Sequence, residues 1–223
     1  MIVTLDGPCG SGKSTLAQLL AVKLDFFYIN SGYLYRSLAY LLVSEFGYDE
    51  QNFKLPDIDH VRFIFDKAHF SYKYKDGIAQ VFFRGQEITH HLKKSIVSHH
   101  ASIISAHEQV RNIIVPLQQN FGQLYNLITD GRDCGTEIYP EAEFKFYVTA
   151  LPETRAQRLQ ADLERSGVII DFDQALEMTE SRDDRDMRRI VSPLKKSFDA
   201  IEVDTSHQSI HQTLEFILSI IRK

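Results

Sequence analysis

Gly7-Pro8-Cys9-Gly10-Ser11-Gly12-Lys13-Ser14 is the stretch that decides the fold of this 223-residue chain. The run before it, Ile2–Asp6, has the apolar, β-branched character of a short buried strand. After it, Leu16, Leu19, Leu20 and Leu24 fall on one face of a helix predicted from Lys13 to about Leu24. A strand, a turn of the form Gly-x4-Gly-Lys-Ser and a helix make up the Walker A arrangement. Its glycines let the backbone wrap closely, so that successive N–H groups face phosphate oxygens at the positive end of a helix. Lys13 adds a point charge for the β- and γ-phosphates, and Ser14 offers a hydroxyl directly to Mg²⁺. The loop and the adjoining Thr15 are therefore expected to hold the phosphates of ATP.

Strand and helix signals alternate outward from this loop. Strands are predicted at Phe26–Ile29, Tyr125–Thr129, Phe144–Thr149 and Ile201–Asp204, and helices at Tyr33–Phe46 and Ile210–Ile221. That alternation predicts an α/β fold of three layers around a central five-stranded parallel sheet with right-handed crossovers. One stretch breaks the pattern. Phe70–Tyr74 alternates with period two, Asp76-Gly77 is a hairpin turn, and Val81-Phe82-Phe83 returns toward a second turn and a third strand at Arg84–Ile88. A small antiparallel sheet is thus predicted inside a parallel-sheet protein.

The chain is 43% hydrophobic, enough for a sizeable core, and its net charge of −5 points to neither a nucleic-acid nor a membrane partner. Two cysteines, Cys9 and Cys134, without a CxxC pair or a disulfide framework point to a reducing cytoplasm. Each follows a strand at the ligand-binding edge. The N-terminus enters a strand at once, and the apolar run Phe216–Ile221 is too short to cross a bilayer. Neither Asp-x-x-Gly nor Asn-Lys-x-Asp occurs, so guanine selection has no visible basis. A small-molecule kinase, working as a cytoplasmic monomer, is the leading expectation.

Further strand ends supply candidates for a second ligand. Ser31 and Arg36 follow the second strand, and Asp130, Arg132 and Asp133 follow the third, at the carboxyl edge where open α/β sheets bind ligands. Asp130 ends an apolar strand as a Walker B carboxylate does, suited to holding Mg²⁺ through water. Seven arginines lie between Arg155 and Arg189. Helices predicted at Pro152–Leu163 and Phe172–Arg189 put Arg155 and Arg158 one turn apart, and Arg182, Arg185 and Arg189 along one face beside Asp186. An arginine-rich lid would neutralise the charge of two nucleotides, whereas Arg165 and Arg188 read as solvated surface.

Four motifs together carry a resemblance: Gly-Pro-x-Gly-Ser-Gly-Lys-Ser at 7–14, Ser-Gly-x-x-Tyr-Arg at 31–36, Asp-Gly-Arg-Asp-x-Gly-Thr at 130–136 and Arg-Asp-Asp-Arg-Asp-x-x-Arg-x-x-x-Pro-Leu at 182–194. In this order and spacing, and with the insert near residues 68–90, the chain resembles the bacterial cytidylate kinases among the nucleoside monophosphate kinases. The resemblance implies ATP and CMP or dCMP as substrates, with Mg²⁺ carried by ATP. It implies a single domain with a core at about residues 1–30, 110–150 and 192–223, a monophosphate-binding region at 31–109 and a lid at 152–190. Arg36, Arg132 and Arg111 would hold the acceptor phosphate, and base-reading residues fall on Ser102, Arg111, Asp186 and Arg189, with Ser31 and Asp133 nearby. Lys13, Arg132, Arg155, Arg158, Arg182 and Arg185 would stabilise the transferring charge, and no general base is needed because the acceptor is already an oxyanion. Cys9, Asn30 and Cys134 depart from the usual family residues, Asn30 at a position where an aspartate's hydrogen bond is in question. Alternatives are a UMP, AMP or shikimate kinase, or a non-catalytic nucleotide-binding regulator.

Overall fold

The computed structural model describes residues 1–165 and 167–222. In chain order, β1 (Ile2–Asp6), α1 (Lys13–Leu24), β2 (Phe27–Asn30), α2 (Ser31–Phe46) and α3 (Ile58–Ile64) precede a run of three strands, β3 (Phe70–Lys75), β4 (Ile78–Phe83) and β5 (Gln86–Glu87). Helices α4 (Ser95–Ile104) and α5 (Glu108–Leu124) lead to β6 (Leu127–Gly131) and β7 (Phe144–Thr149). Two long helices, α6 (Pro152–Arg165) and α7 (Phe172–Arg188), then precede β8 (Ile201–Asp204) and α8 (Ile210–Ile221).

Five of these strands form one parallel sheet in the order β2-β6-β1-β7-β8. Val3, Leu5, Ile29, Leu127, Ile128, Phe146 and Val148 are inaccessible or nearly so. Strands covered on both faces must be apolar throughout, which is why these segments were readable as strands without alternation. The register sets Asp6 beside Gly131 and Asn30 beside Asp130, so β1, β2 and β6 end together. Their loops therefore share one edge.

Several boundaries shift from the sequence expectation by a residue or two, and two of the shifts have clear local reasons. The third core strand runs Leu127–Gly131 instead of Tyr125–Thr129, because α5 continues to Leu124 and Tyr125 caps it while stacking on Phe27 at 4.4 Å. Helix α2 starts two residues early, at Ser31, since Asn30 caps it by accepting the N–H of Tyr33 at 3.0 Å. Asn30 thus makes the cap, and its amide also donates to the Tyr28 hydroxyl at 3.0 Å.

β3, β4 and β5 form the antiparallel insert, with Tyr72 opposite Val81 and a turn in which Asp76 and Gly77 both have positive φ. Tyr74 packs edge-on against Phe27 and Tyr28 of β2, and the Tyr72 hydroxyl accepts the Asn30 N–H at 3.0 Å. At the hairpin tip the Gly77 carbonyl accepts from Gln18 of α1 at 2.7 Å. The insert is thereby fastened to the edge of the main sheet. Among the described residues, no helix is long and apolar enough to cross a membrane.

Candidate active site

Loops after β1, β2 and β6, together with α4, α6 and α7, enclose a cleft of about 1300 Å³. The Gly7–Ser14 loop forms one wall. Gly7 adopts φ +152°, and a Cβ there would lie 2.0 Å from the Val148 carbonyl, so only glycine lets the loop pass this close to β7. Cys9 through Thr15 line the cleft, whereas Gly7 and Pro8 lie outside its lining. Lys13 is buried at the start of α1 and donates to the Pro8 carbonyl at 2.7 Å. Burial and the neighbouring Arg132 and Arg182 pull its ammonium down to about 7, against the opposite pull of Cys9 and Asp130. A triphosphate beside it would restore the charged form.

The Ser14 hydroxyl donates to one oxygen of Asp130 at 2.5 Å, and the other oxygen accepts from Tyr28 at 2.6 Å. Among the described residues no group of three or more histidine, cysteine or carboxylate side chains is placed to hold a metal. One hydroxyl and one carboxylate suit a divalent ion that takes the rest of its shell from phosphate oxygens and water. Tyr28 was not legible as a partner of Asp130, because the contact joins β2 to β6 across the sheet.

Across the cleft, Asp186 of α7 is buried and gathers other candidates. It accepts from Arg132 Nε at 2.8 Å and from Ser102 Oγ of α4 at 3.4 Å. Burial works against ionisation here, but Arg132, Arg182 and Arg189 hold the carboxyl below its usual range. Asp133 pairs with Arg111 and accepts from Arg189 at 3.4 Å. Ser105, which the sequence reading did not single out, ties this group together: its carbonyl accepts from Arg111 at 3.3 Å and its hydroxyl from Arg189 at 3.1 Å. Arg36 also lines the cleft, where burial and Arg182 lower its guanidinium to about 10. Ser31 lines it too, with its hydroxyl donating to the Asp130 carbonyl at 2.6 Å.

The arginines of α6 and α7 divide into two groups. Arg182 and Arg185 line the cleft, with Arg182 Nη1 3.6 Å from the Cys9 sulfur. Arg158 lines it as well, yet donates to the carbonyls of Gly10 at 3.2 Å and Thr205 at 2.8 Å. Arg155 departs from the expectation that it faces the ligands. It is buried outside the cleft lining, pairs with Asp183, and donates to the carbonyls of Cys9 and Ala150. Its place in the first turn of α6 brings it under the phosphate loop. Arg165 and Arg188 are exposed and pair within their own helices, with Asp162 and Asp184; Arg188 is solvated surface as expected, whereas Arg165 also reaches the cleft lining.

The two cysteines also separate. Cys9 lines the cleft, and Arg182, Arg132 and Lys13 outweigh burial to lower its thiol. Cys134 is fully buried beside Thr129, outside the cleft lining, and burial holds its thiol well above the usual value. Asp6, at the end of β1, accepts from the N–H groups of Cys134 at 2.9 Å and Gly135 at 2.7 Å. That contact fixes the turn after Asp133 and went unseen in the sequence, because it joins residues 128 and 129 positions apart.

A model of the cytidylate kinase family matches residues 3–223. The chain belongs to that family. It is 34% identical to the cytidylate kinase of Clostridium botulinum strain Langeland over 221 residues, covering 99% of this chain and 97% of that protein. Identity to the cytidylate kinase of Caldicellulosiruptor saccharolyticus is 33%, covering 99% and 95%. Among solved structures, an uncharacterized protein from Eubacterium ventriosum superposes with a TM-score of 0.51 at 16% identity, over 100% of this chain and 99% of that one, which shows a shared fold. A cytidylate kinase family member with a phosphate loop at one wall and Asp186 at the other is thus described by its own geometry. The family's chemistry is ATP-dependent phosphoryl transfer, which in general employs a divalent metal.

Proposed function

We propose that this chain transfers the γ-phosphoryl group of ATP to CMP or dCMP, giving ADP and CDP or dCDP. The observation that carries the reading is the placement of Asp186, held by Arg132 and Ser102 across the cleft from the Gly7–Ser14 loop. One wall offers a helix N-terminus and Lys13 to a triphosphate, while the other offers a carboxylate, hydroxyls and guanidiniums to a second nucleotide. Cytosine presents an N4 amine donor beside N3 and O2 acceptors, so a carboxylate suits N4 while serine or arginine suits N3 and O2. Asp186, Ser102 and Arg111 take these parts, with Arg189, Asp133 and Ser31 around the sugar and base. Arg36 and Arg132 hold the acceptor phosphate, for which the planar fork of arginine gives two hydrogen bonds to one group.

Mg²⁺ fits the Ser14 and Asp130 pair, Ser14 directly and Asp130 through water, and would neutralise charge between the phosphates. The chain's own work is positioning and charge stabilisation. Lys13, Arg132, Arg182 and Arg185 face the space between the walls, where the transferring group spreads charge over its equatorial oxygens. Arg158 belongs to this set while also bracing the loop, and Arg155 serves through the loop it supports. Residues 31–109 act as the monophosphate-binding region with its insert and 152–190 as a lid that excludes water, on a core of 1–30, 110–150 and 192–223. The acidic net charge and two unbonded cysteines suit a cytoplasmic monomer acting on free nucleotides, with no nucleic-acid or membrane partner.

ADP release coupled to a reporter, measured with CMP, dCMP, UMP, AMP and shikimate in turn, tests this. CMP and dCMP should stimulate ADP release strongly and the others weakly. No stimulation by any acceptor would contradict the enzyme reading, and a preference for another acceptor would contradict the cytosine reading.

A further inference from the structure

Asp183, which lies outside the cleft lining and is 3% exposed, joins the lid to the phosphate loop at two points. One carboxylate oxygen accepts the backbone N–H of Cys9 at 2.9 Å. The other pairs with Arg155, whose same nitrogen donates to the Cys9 carbonyl at 3.0 Å. The loop's next carbonyls are held as well, Gly10 by Arg158 and Ser11 by the Thr205 hydroxyl at 3.0 Å. Contact with α6 is so close that a Cβ on Gly10 would lie 2.9 Å from the Arg155 carbonyl. Among the described residues, the partners of the Cys9 backbone N–H and carbonyl therefore both come from the Arg155–Asp183 pair.

One turn further along α7, Asp186 is fixed to Arg132 and Ser102 on the opposite wall. Helix α7 is thus pinned twice, to the donor loop through Asp183 and to the acceptor wall through Asp186. Arg182 and Arg185 stand beside these pins and line the cleft. A misplacement of about 1 Å can cost about a hundredfold in rate when reacting groups must align.

We propose that Asp183 is a positioning residue for phosphoryl transfer: by holding the Cys9 amide and Arg155 together, it sets where α7 and its arginines stand relative to the phosphate loop. The inference rests on the phosphoryl-transfer reading of the cleft. It assigns Asp183 no contact with either nucleotide.

The test compares the full-length wild type with Asp183→Ala and Asp183→Asn, using ATP, Mg²⁺ and CMP, and quantifying ADP and CDP separately by chromatography. Wild type should give one CDP per ADP. Asp183→Ala should lower kcat about tenfold or more, shift either KM less than about threefold, and release more ADP than CDP, because a misaligned lid admits water. A general loss of folded protein would lower both products together and leave their ratio at one. A folded Asp183→Ala variant, with a wild-type circular dichroism spectrum, a product ratio of one and kcat within about twofold, would overturn the proposal.

Should the unpaired Arg155 prevent folding, the double variant Asp183→Asn with Arg155→Gln leaves neither member of this pair charged, and the same product ratio decides. Amide hydrogen exchange at residues 9–12 reads the brace without any acceptor. It should quicken in Asp183→Asn, and unchanged exchange would overturn the proposal even if wild type proved inactive on CMP. Inactivity of wild type on CMP with quickened exchange would contradict the substrate reading alone.

Discussion

Lys13, Asp186 and Asp6 show three ways in which this fold uses a buried charge. Lys13 sits among cations, so its own ammonium is destabilised until phosphates arrive, and Lys13→Ala should lower kcat at least about a hundredfold, as loss of a preorganised charge stabiliser does. Steady-state kinetics with wild-type circular dichroism would check this. Asp186 sits among arginines beside the Ser102 hydroxyl; on the proposed placement of CMP, Asp186→Ala should raise the KM for CMP roughly 10–100-fold, as loss of about 1.4–2.7 kcal/mol would, and leave ATP nearly unaffected. Equal loss of both affinities would misplace that residue. Asp6 is raised to about 6 by burial, with Asp133 adding and the N–H groups of Gly135 and Cys134 opposing. Between about pH 4 and 6 the folded chain keeps a proton there that the unfolded chain has lost. Its contribution to stability is thus complete below about pH 4 and disappears as pH rises through about 6. Carboxyl NMR should give a midpoint near 6, and a midpoint near 4 would contradict this environment.

At the scale of elements, the inserted sheet is held by few but specific contacts. The Tyr72 hydroxyl accepts a buried N–H at Asn30, directly before Ser31, so Tyr72→Phe leaves that donor unpaired. The cost should be about 1–3 kcal/mol, seen in thermal unfolding as a fall in Tm of roughly 2–4 °C for each kcal/mol. An unchanged Tm would show that the insert is not fastened through this bond. Most elements were legible because their pattern is local: the apolar core strands, the Asp76-Gly77 turn and the leucines of α1 and α2 each announce themselves within a dozen residues. Helices α3, α4 and α5 did not. Ser95–Ile104 is rich in serine and histidine, which are indifferent helix formers, and it is helical through packing on α2. Helix α5 continues through Pro116, a residue that ordinarily ends a helix, and buries Val110, Ile114 and Gln118 along one side.

The whole molecule brings the loops after β1, β2, β6 and β8 together with α4, α6 and α7 around one cleft. The part of its lining that was legible lies in four contiguous motifs, from Gly7–Ser14 to Arg182–Leu194. What the motifs did not disclose is how they brace one another. Its place one turn from Arg158 predicts that Arg155 faces the ligands, whereas the path of the loop turns it toward Cys9 and Asp183. Tyr28 on Asp130, Ser105 on Arg111 and Arg189, and Asp6 on the turn after Asp133 are long-range contacts of the same kind. The proposed function requires that this cleft seat two nucleotides and move phosphate from one to the other. Incubating the protein with Mg²⁺, CMP and ATP carrying a radioactive γ-phosphate, then separating the products, tests that claim most directly. The label should appear in CDP, one for each ADP formed; label found only as inorganic phosphate, or left entirely in ATP, would contradict it.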